Sequence, residues 1–173
     1  PEELAAILTR ACAREPEARF QTVNELRDAL LRFREHRAAS SLVITARARL
    51  QQLEALARDP AQADYGRAQA LFTETRFAFE QAREVWPEHP AAREGLSEAI
   101  AQMVRFELAL DHVDAAHALF ESQPELTVAH TELQEQLAAR RREQQERASR
   151  AVVLERDRDL TFGAGQRTQA MAL

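Results

Sequence analysis

Lysine is missing altogether: all 23 basic residues of this 173-residue chain are arginine. Such usage fits the codon bias of a GC-rich genome better than 23 separate demands for a guanidinium fork, and it carries no functional weight. One cysteine, Cys12, excludes an internal disulfide framework and any multi-cysteine zinc site, the pattern of a reducing, intracellular setting. With only four glycines, six prolines and 6% aromatic residues, turn signals are few and helix formers dominate nearly every window. The fold expected is all-α. There is no eighteen-residue apolar run and no signal-peptide pattern, so the sequence reads as a soluble segment.

A formal charge of −5 argues against a nucleic-acid binder. The charge is uneven. Residues 1–50 hold nine arginines against seven acids, residues 51–139 hold six against sixteen, and residues 140–173 hold eight against five. Three modules are expected, at residues 1–37, 41–137 and 138–173. A first residue that is Pro1 and an apolar end, Met171-Ala172-Leu173, suit a fragment of a longer polypeptide.

Leu4, Ile7, Leu8, Ala11 and Cys12 recur on one helical stripe, which Pro16 should stop near Glu15. Thr22-Val23-Asn24-Glu25 has the T-x-x-E form of a capping box and predicts a second helix with Leu26, Ala29, Leu30 and Phe33 inward. Two helices of that length enclose almost no interior, so this pair needs another surface to pack on. Ser40-Ser41 are expected to cap a third helix over residues 40–58, and a fourth runs from Asp64 to Trp86 with apolar side chains on two faces. A fifth runs from Ala91 to Leu110. Asp111-His112-Val113-Asp114 then forms a turn with N-cap chemistry, followed by a short helix around Ala116 and Phe120. A last helix is expected from Glu125 past residue 150, docked through Leu126, Leu133 and Leu137, solvated beyond them, and dissolving into a flexible tail near Leu160-Thr161-Phe162-Gly163. Its stripe continues into Arg140 and Gln144, so a coiled-coil seam is not sustained.

Leu4, Ile7, Arg10, Ala11, Cys12, Pro16, Arg19, Phe20, Glu25, Leu26 and Leu30 match, in order, the pattern L-x-x-I-x-x-(K/R)-A-(L/C)-x-x-x-P-x-x-R-(F/Y), then E-L-x-x-x-L. Residues 1–37 thereby resemble the C-terminal end of the catalytic domain of bacterial eukaryotic-like Ser/Thr protein kinases. The resemblance implies structural roles for Pro16, Arg19 and Phe20, with Arg19 buried and paired to the glutamate of the A-P-E motif. That motif, the Gly-rich loop, the strand lysine, H-R-D and D-F-G are all outside this sequence. The chain is therefore expected to be non-catalytic and to hold no cofactor. A parent kinase would bind ATP and magnesium and act in signalling.

The middle segment resembles degenerate tetratricopeptide repeats. Thr75, Phe79, Ala82 and Pro87 occupy the second-helix positions of one unit, and Leu96, Ile100, Ala116, Phe120 and Pro124 suggest another; an unrelated helical bundle is the alternative. A concave repeat face implies a peptide site, with Tyr65, Arg67, Glu74, Arg76, Arg83 and Arg105 as its polar groups. The acidity of residues 51–139 favours a basic partner. Other expected partners are the missing kinase lobe and a second copy of the chain. Arg140-Arg141-Arg142, Arg147, Arg150, Arg156 and Arg158 ahead of Ala170-Met171-Ala172-Leu173 have the juxtamembrane pattern of a cytoplasmic protein tethered to the inner membrane, and equally that of a charged solvated helix. A free-standing helical-repeat adaptor is the competing function.

Catalytic and metal chemistry find little support. His36, His89, His112, His117 and His130 are scattered, and His112 and His117 fall about 140° apart on a helix rather than on one face. Asp111 and Asp114 read as turn residues, not an acid–base pair. Gly163-Ala164-Gly165 follows a helix instead of a strand, so it is no phosphate loop. Ser40 and Ser41 lack triad partners, and Cys12 is expected as inert core.

Overall fold

The computed structural model describes residues 2–122 and 130–170, with side chains to Glu155. In chain order it contains α1 (Glu2–Ala11), a 3-10 turn (Pro16–Ala18), α2 (Val23–Leu56), α3 (Tyr65–Val85), α4 (Pro90–Ala109), α5 (Val113–Glu121) and α6 (Thr131–Ala170). No strand occurs among the described residues. The protein is all-α.

α1 carries Glu2 and Glu3 in its first turn and Arg10 in its last, each complementing the helix dipole, and buries only Ile7. It ends at Ala11, four residues before the expected stop. The chain turns out of the helix because Arg19 takes the next carbonyls: its Nε donates to Ala13 O at 2.8 Å and its Nη2 to Arg14 O at 3.3 Å. Cys12 consequently lies past the last turn and is exposed, not in a core.

The T-x-x-E signal marks the start of α2, with one change of partner. Thr22 Oγ1 accepts from the Glu25 N–H at 3.1 Å, but Glu25 Oε2 accepts from Gln21 N–H at 3.1 Å instead of from the cap residue itself. Arg10 binds the two ends of this corner together, lying 4.3 Å from the Phe20 ring centroid and 3.7 Å from Glu25 Oε2.

The expected break before Ser40-Ser41 is absent, and α2 is one helix of 34 residues. No glycine or proline falls within it, and Ala39, Val43, Ala46, Leu50 and Leu53 form an unbroken buried stripe through the supposed boundary. Ser40 does not cap. Its hydroxyl donates back to His36 O at 2.8 Å, the way a serine is accommodated inside a helix. Of the residues expected inward near the start of α2, Ala29 is buried, Leu26 and Phe33 are half-buried, and Leu30 is 40% exposed.

α3 begins at an Asp64 cap whose Oδ1 accepts from Arg67 N–H at 3.1 Å, and α4 begins with Pro90 in its first turn. α3 packs along α2, α4 lies against both, α5 returns along α4, and the start of α6 closes over α5 and α4. Phe79, Phe106, Leu53, Ile100 and Met103 are fully enclosed between these layers, each gaining roughly 1.5–3 kcal/mol from burial. Gly95 of α4 sits where a β-carbon would overlap the Phe79 ring, so glycine is what lets α3 and α4 approach.

The turn before α5 is tight: Asp111 has φ of 62°, and His112, not an aspartate, occupies the N-cap. The expected start of the last helix around Glu125 and Leu126 lies outside the described residues. α6 buries Leu133 and Leu137, whereas Val152, Val153 and Leu154 are exposed. Contrary to the expected tail near Leu160, the helix runs to Ala170 and includes Gly163-Ala164-Gly165. No proline follows residue 124, and the two glycines together cost only about 2 kcal/mol of helix propensity. No helix among the described residues is long and apolar enough to cross a membrane.

Candidate functional site

The six polar residues expected on a concave face do not converge. At about 100° per residue, Tyr65, Arg76 and Arg83 align on one side of α3 while Arg67 and Glu74 fall on the opposite side. Glu74 is joined to Arg49 of α2 at 3.0 Å, and Arg76 to Glu80 within α3 at 2.8 Å. Arg67 is exposed and Arg83 half-buried. Arg105 pairs with Glu98 at 3.0 Å and borders two shallow grooves of about 280 and 350 Å³ against the first turns of α6. Arg19, expected to meet a glutamate, is exposed and spends its donors on carbonyls, as described above.

Tyr65 is engaged in a polar knot that sequence reasoning missed. Glu107, near the end of α4, is completely buried. Its Oε1 accepts from Tyr65 O–H and Gln69 Nε2, each at 2.9 Å, and its Oε2 accepts from His112 Nδ1 at 2.8 Å. The backbone N–H of His112 also donates to Glu107 O at 2.9 Å. Burial, reinforced by the hydrogen bond to Glu107, holds the Tyr65 phenol above its ordinary pKa. With both carboxylate oxygens of Glu107 occupied, the knot fastens α3, α4 and α5 to one another. One signal was available: Glu107 continues the stripe of Ile100 and Met103, so its carboxyl had to be buried.

A second knot joins α2 to the α3–α4 junction. Trp86 stacks on His36 with ring centroids 3.9 Å apart and leans on His89 at 4.6 Å, while His36 Nδ1 meets Glu3 of α1 at 2.9 Å. His89 is buried, with Nε2 3.4 Å from Ser40 Oγ and Nδ1 without a partner among the described residues. Since the Ser40 hydroxyl proton already goes to His36 O, the network assigns the His89 proton to Nε2. Burial first, then the neighbouring His36 and Arg47 charges, keeps His89 below the ordinary histidine range.

A groove of about 580 Å³ runs between α5 and α6 over Phe120 and Leu137. Its rim holds His117, Glu121, Arg141 and Arg142, none of them among the expected site residues except as charge in the arginine run. His117 bridges Glu121, at 3.2 Å from its Nδ1, to Arg141 at its Nε2. His112 and His117 thus serve separate contacts, and no group of three metal-ligating side chains exists among the described residues.

Compared with protein-family models, with curated proteins and with solved structures, the chain gives no match.

Proposed function

We propose that this chain is the non-catalytic, C-terminal regulatory and protein-interaction portion of a bacterial Ser/Thr protein kinase, working on the cytoplasmic side. The observation that carries the reading is the unfinished packing of α1 and the first half of α2. Leu8, Leu30 and Leu31 are 54%, 40% and 38% exposed, and Arg19 meets no carboxylate among the described residues. These are the ridges and the guanidinium that, in the resembled family, seal the floor of the large lobe against the A-P-E glutamate. In this reading the parent supplies ATP, magnesium and phosphoryl transfer, while the helical region positions a protein substrate or regulator.

The decisive test lies upstream in the reading frame. H-R-D, D-F-G and A-P-E encoded ahead of Pro1 are expected, and the joined protein should phosphorylate a generic Ser/Thr substrate while residues 1–173 alone do not. A frame without those motifs defeats the reading. The contacts of α2 with α3, α3 with α4 and α4 with α5 in chain order, with α2 also touching α4, favour a second reading, a tetratricopeptide-like adaptor. In that case a basic peptide should bind residues 51–139 without any kinase upstream.

A further inference from the structure

The outward face of α2 carries arginines and no acid. On a wheel of about 100° per residue, positions within about 60° of Val23 include Arg27, Leu30, Arg34, Arg37, Ser41, Ile44 and Ala48, and all of those are exposed. This face contains no Asp or Glu along the helix; Glu25, Asp28, Glu35 and Glu54 all lie off it. Val23 and Ile44 are 84% and 71% exposed. Arg27 meets the neighbouring Asp28 at 3.2 Å, whereas Arg34 and Arg37 have no ion pair among the described residues. An acid-free strip of arginines and aliphatic side chains therefore lies beside a region, residues 51–139, with ten more acids than arginines.

We infer that this face of α2 docks an acidic amphipathic helix of a protein partner, with Arg34 and Arg37 receiving two carboxylates and Leu30 and Ile44 receiving aliphatic side chains. The spacing defines the occupant. Arg34 and Arg37 sit one turn apart, and Leu30 and Ile44 flank them about 21 Å apart along the axis, so a matching helix carries two Asp or Glu residues one turn apart between apolar anchors. Guanidinium groups suit paired carboxylates, and the neighbouring methyl groups exclude water from them. Nucleic acid is the poorer fit, because aliphatic side chains rather than stacking aromatics separate the arginines. An anionic membrane is poorer too, since the acidic region beside α2 would be repelled from it. The surface is distinct from the acidic one offered to a basic peptide, and because the kinase reading packs Leu30 against the large lobe, the inference applies to the chain without that lobe.

The probe is a designed helical peptide with that pattern, compared with the same peptide carrying Lys in place of each Glu, by fluorescence anisotropy against the full chain. The acidic peptide should bind and the lysine version should not. The double variant R34E/R37E should weaken binding at least about tenfold with an unchanged helical spectrum, added salt should do the same, and Ile44→Ser should weaken it without altering the salt dependence. Arg93→Glu on α4 should leave binding intact. Equal binding of both peptides, or no response to R34E/R37E, overturns the inference. So does loss, in R34E/R37E, of binding to phosphatidylglycerol vesicles or duplex DNA when no peptide binds, or of self-association in sedimentation, which would assign the face to those occupants instead.

Discussion

Gly95 of α4 lies against the tip of the Phe79 ring of α3, and the space a β-carbon would need is already filled by three ring carbons. Both residues are buried, Phe79 completely. In an exposed helix, Gly→Ala would gain about 1 kcal/mol of propensity. Here Gly95→Ala should instead destabilise the protein by about 1–3 kcal/mol through overpacking. Urea denaturation should show the loss, and Phe79→Leu in the Gly95→Ala background should cost less than Phe79→Leu alone, the coupling expected of residues in contact.

Thr75 is fully buried and its hydroxyl has no hydrogen-bond partner among the described residues. It stands where the repeat-like pattern asks for a small apolar residue. Thr75→Val keeps the branched shape and removes an unsatisfied polar group, so it should stabilise by about 1 kcal/mol. Thr75→Ser keeps the hydroxyl and loses a methyl group, and its melting temperature should fall. A drop for the valine variant would mean that the hydroxyl has a partner.

The Glu107 knot makes a graded prediction. Tyr65→Phe removes one of three side-chain donors and should cost about 1 kcal/mol. Glu107→Ala strands the donors of Tyr65, Gln69 and His112 together and should cost about 3 kcal/mol or more. Amide exchange at the α4–α5 turn should accelerate in Glu107→Ala, because the His112 ring loses the carboxylate that anchors it beside its own backbone N–H.

His89 should make stability fall with acid. Its folded pKa is depressed, so below the unfolded value of about 6.5 the unfolded chain binds more protons than the folded one. The contribution is fully present above that value and is lost as pH falls toward the folded pKa. Thermal melts should decline from pH 7.5 to pH 5, and His89→Gln should flatten that slope. A slope unchanged by the substitution would place its origin elsewhere.

Much of the fold was legible because it rests on local chemistry. Thr22-x-x-Glu25, Asp64, Pro90 and the apolar stripes mark helix starts and inward faces through contacts within a few residues. The misreadings share one cause, tertiary context. Ser40-Ser41 looked like a cap because serine often is one, but the buried run from Ala39 to Leu53 carried the helix through them. Cys12 looked like core until Arg19 drew the chain out of α1. The six residues assigned to a peptide site were selected by polarity, and only the pairing of helices determines which side chains face one another. That is why Glu107, a charged residue on an apolar stripe, was overlooked although its register was visible.

The length of α2 has a mechanical consequence. About 50 Å of uninterrupted helix is gripped by the core from Ala39 onward, while its leading half packs on α1 and, at His36, on Trp86. It is a cantilever: rotating the arm of about 20 Å ahead of His36 by roughly 10° sweeps the tip through about 3 Å, so a small strain at the root becomes a larger displacement at the corner where Arg10 and Phe20 meet.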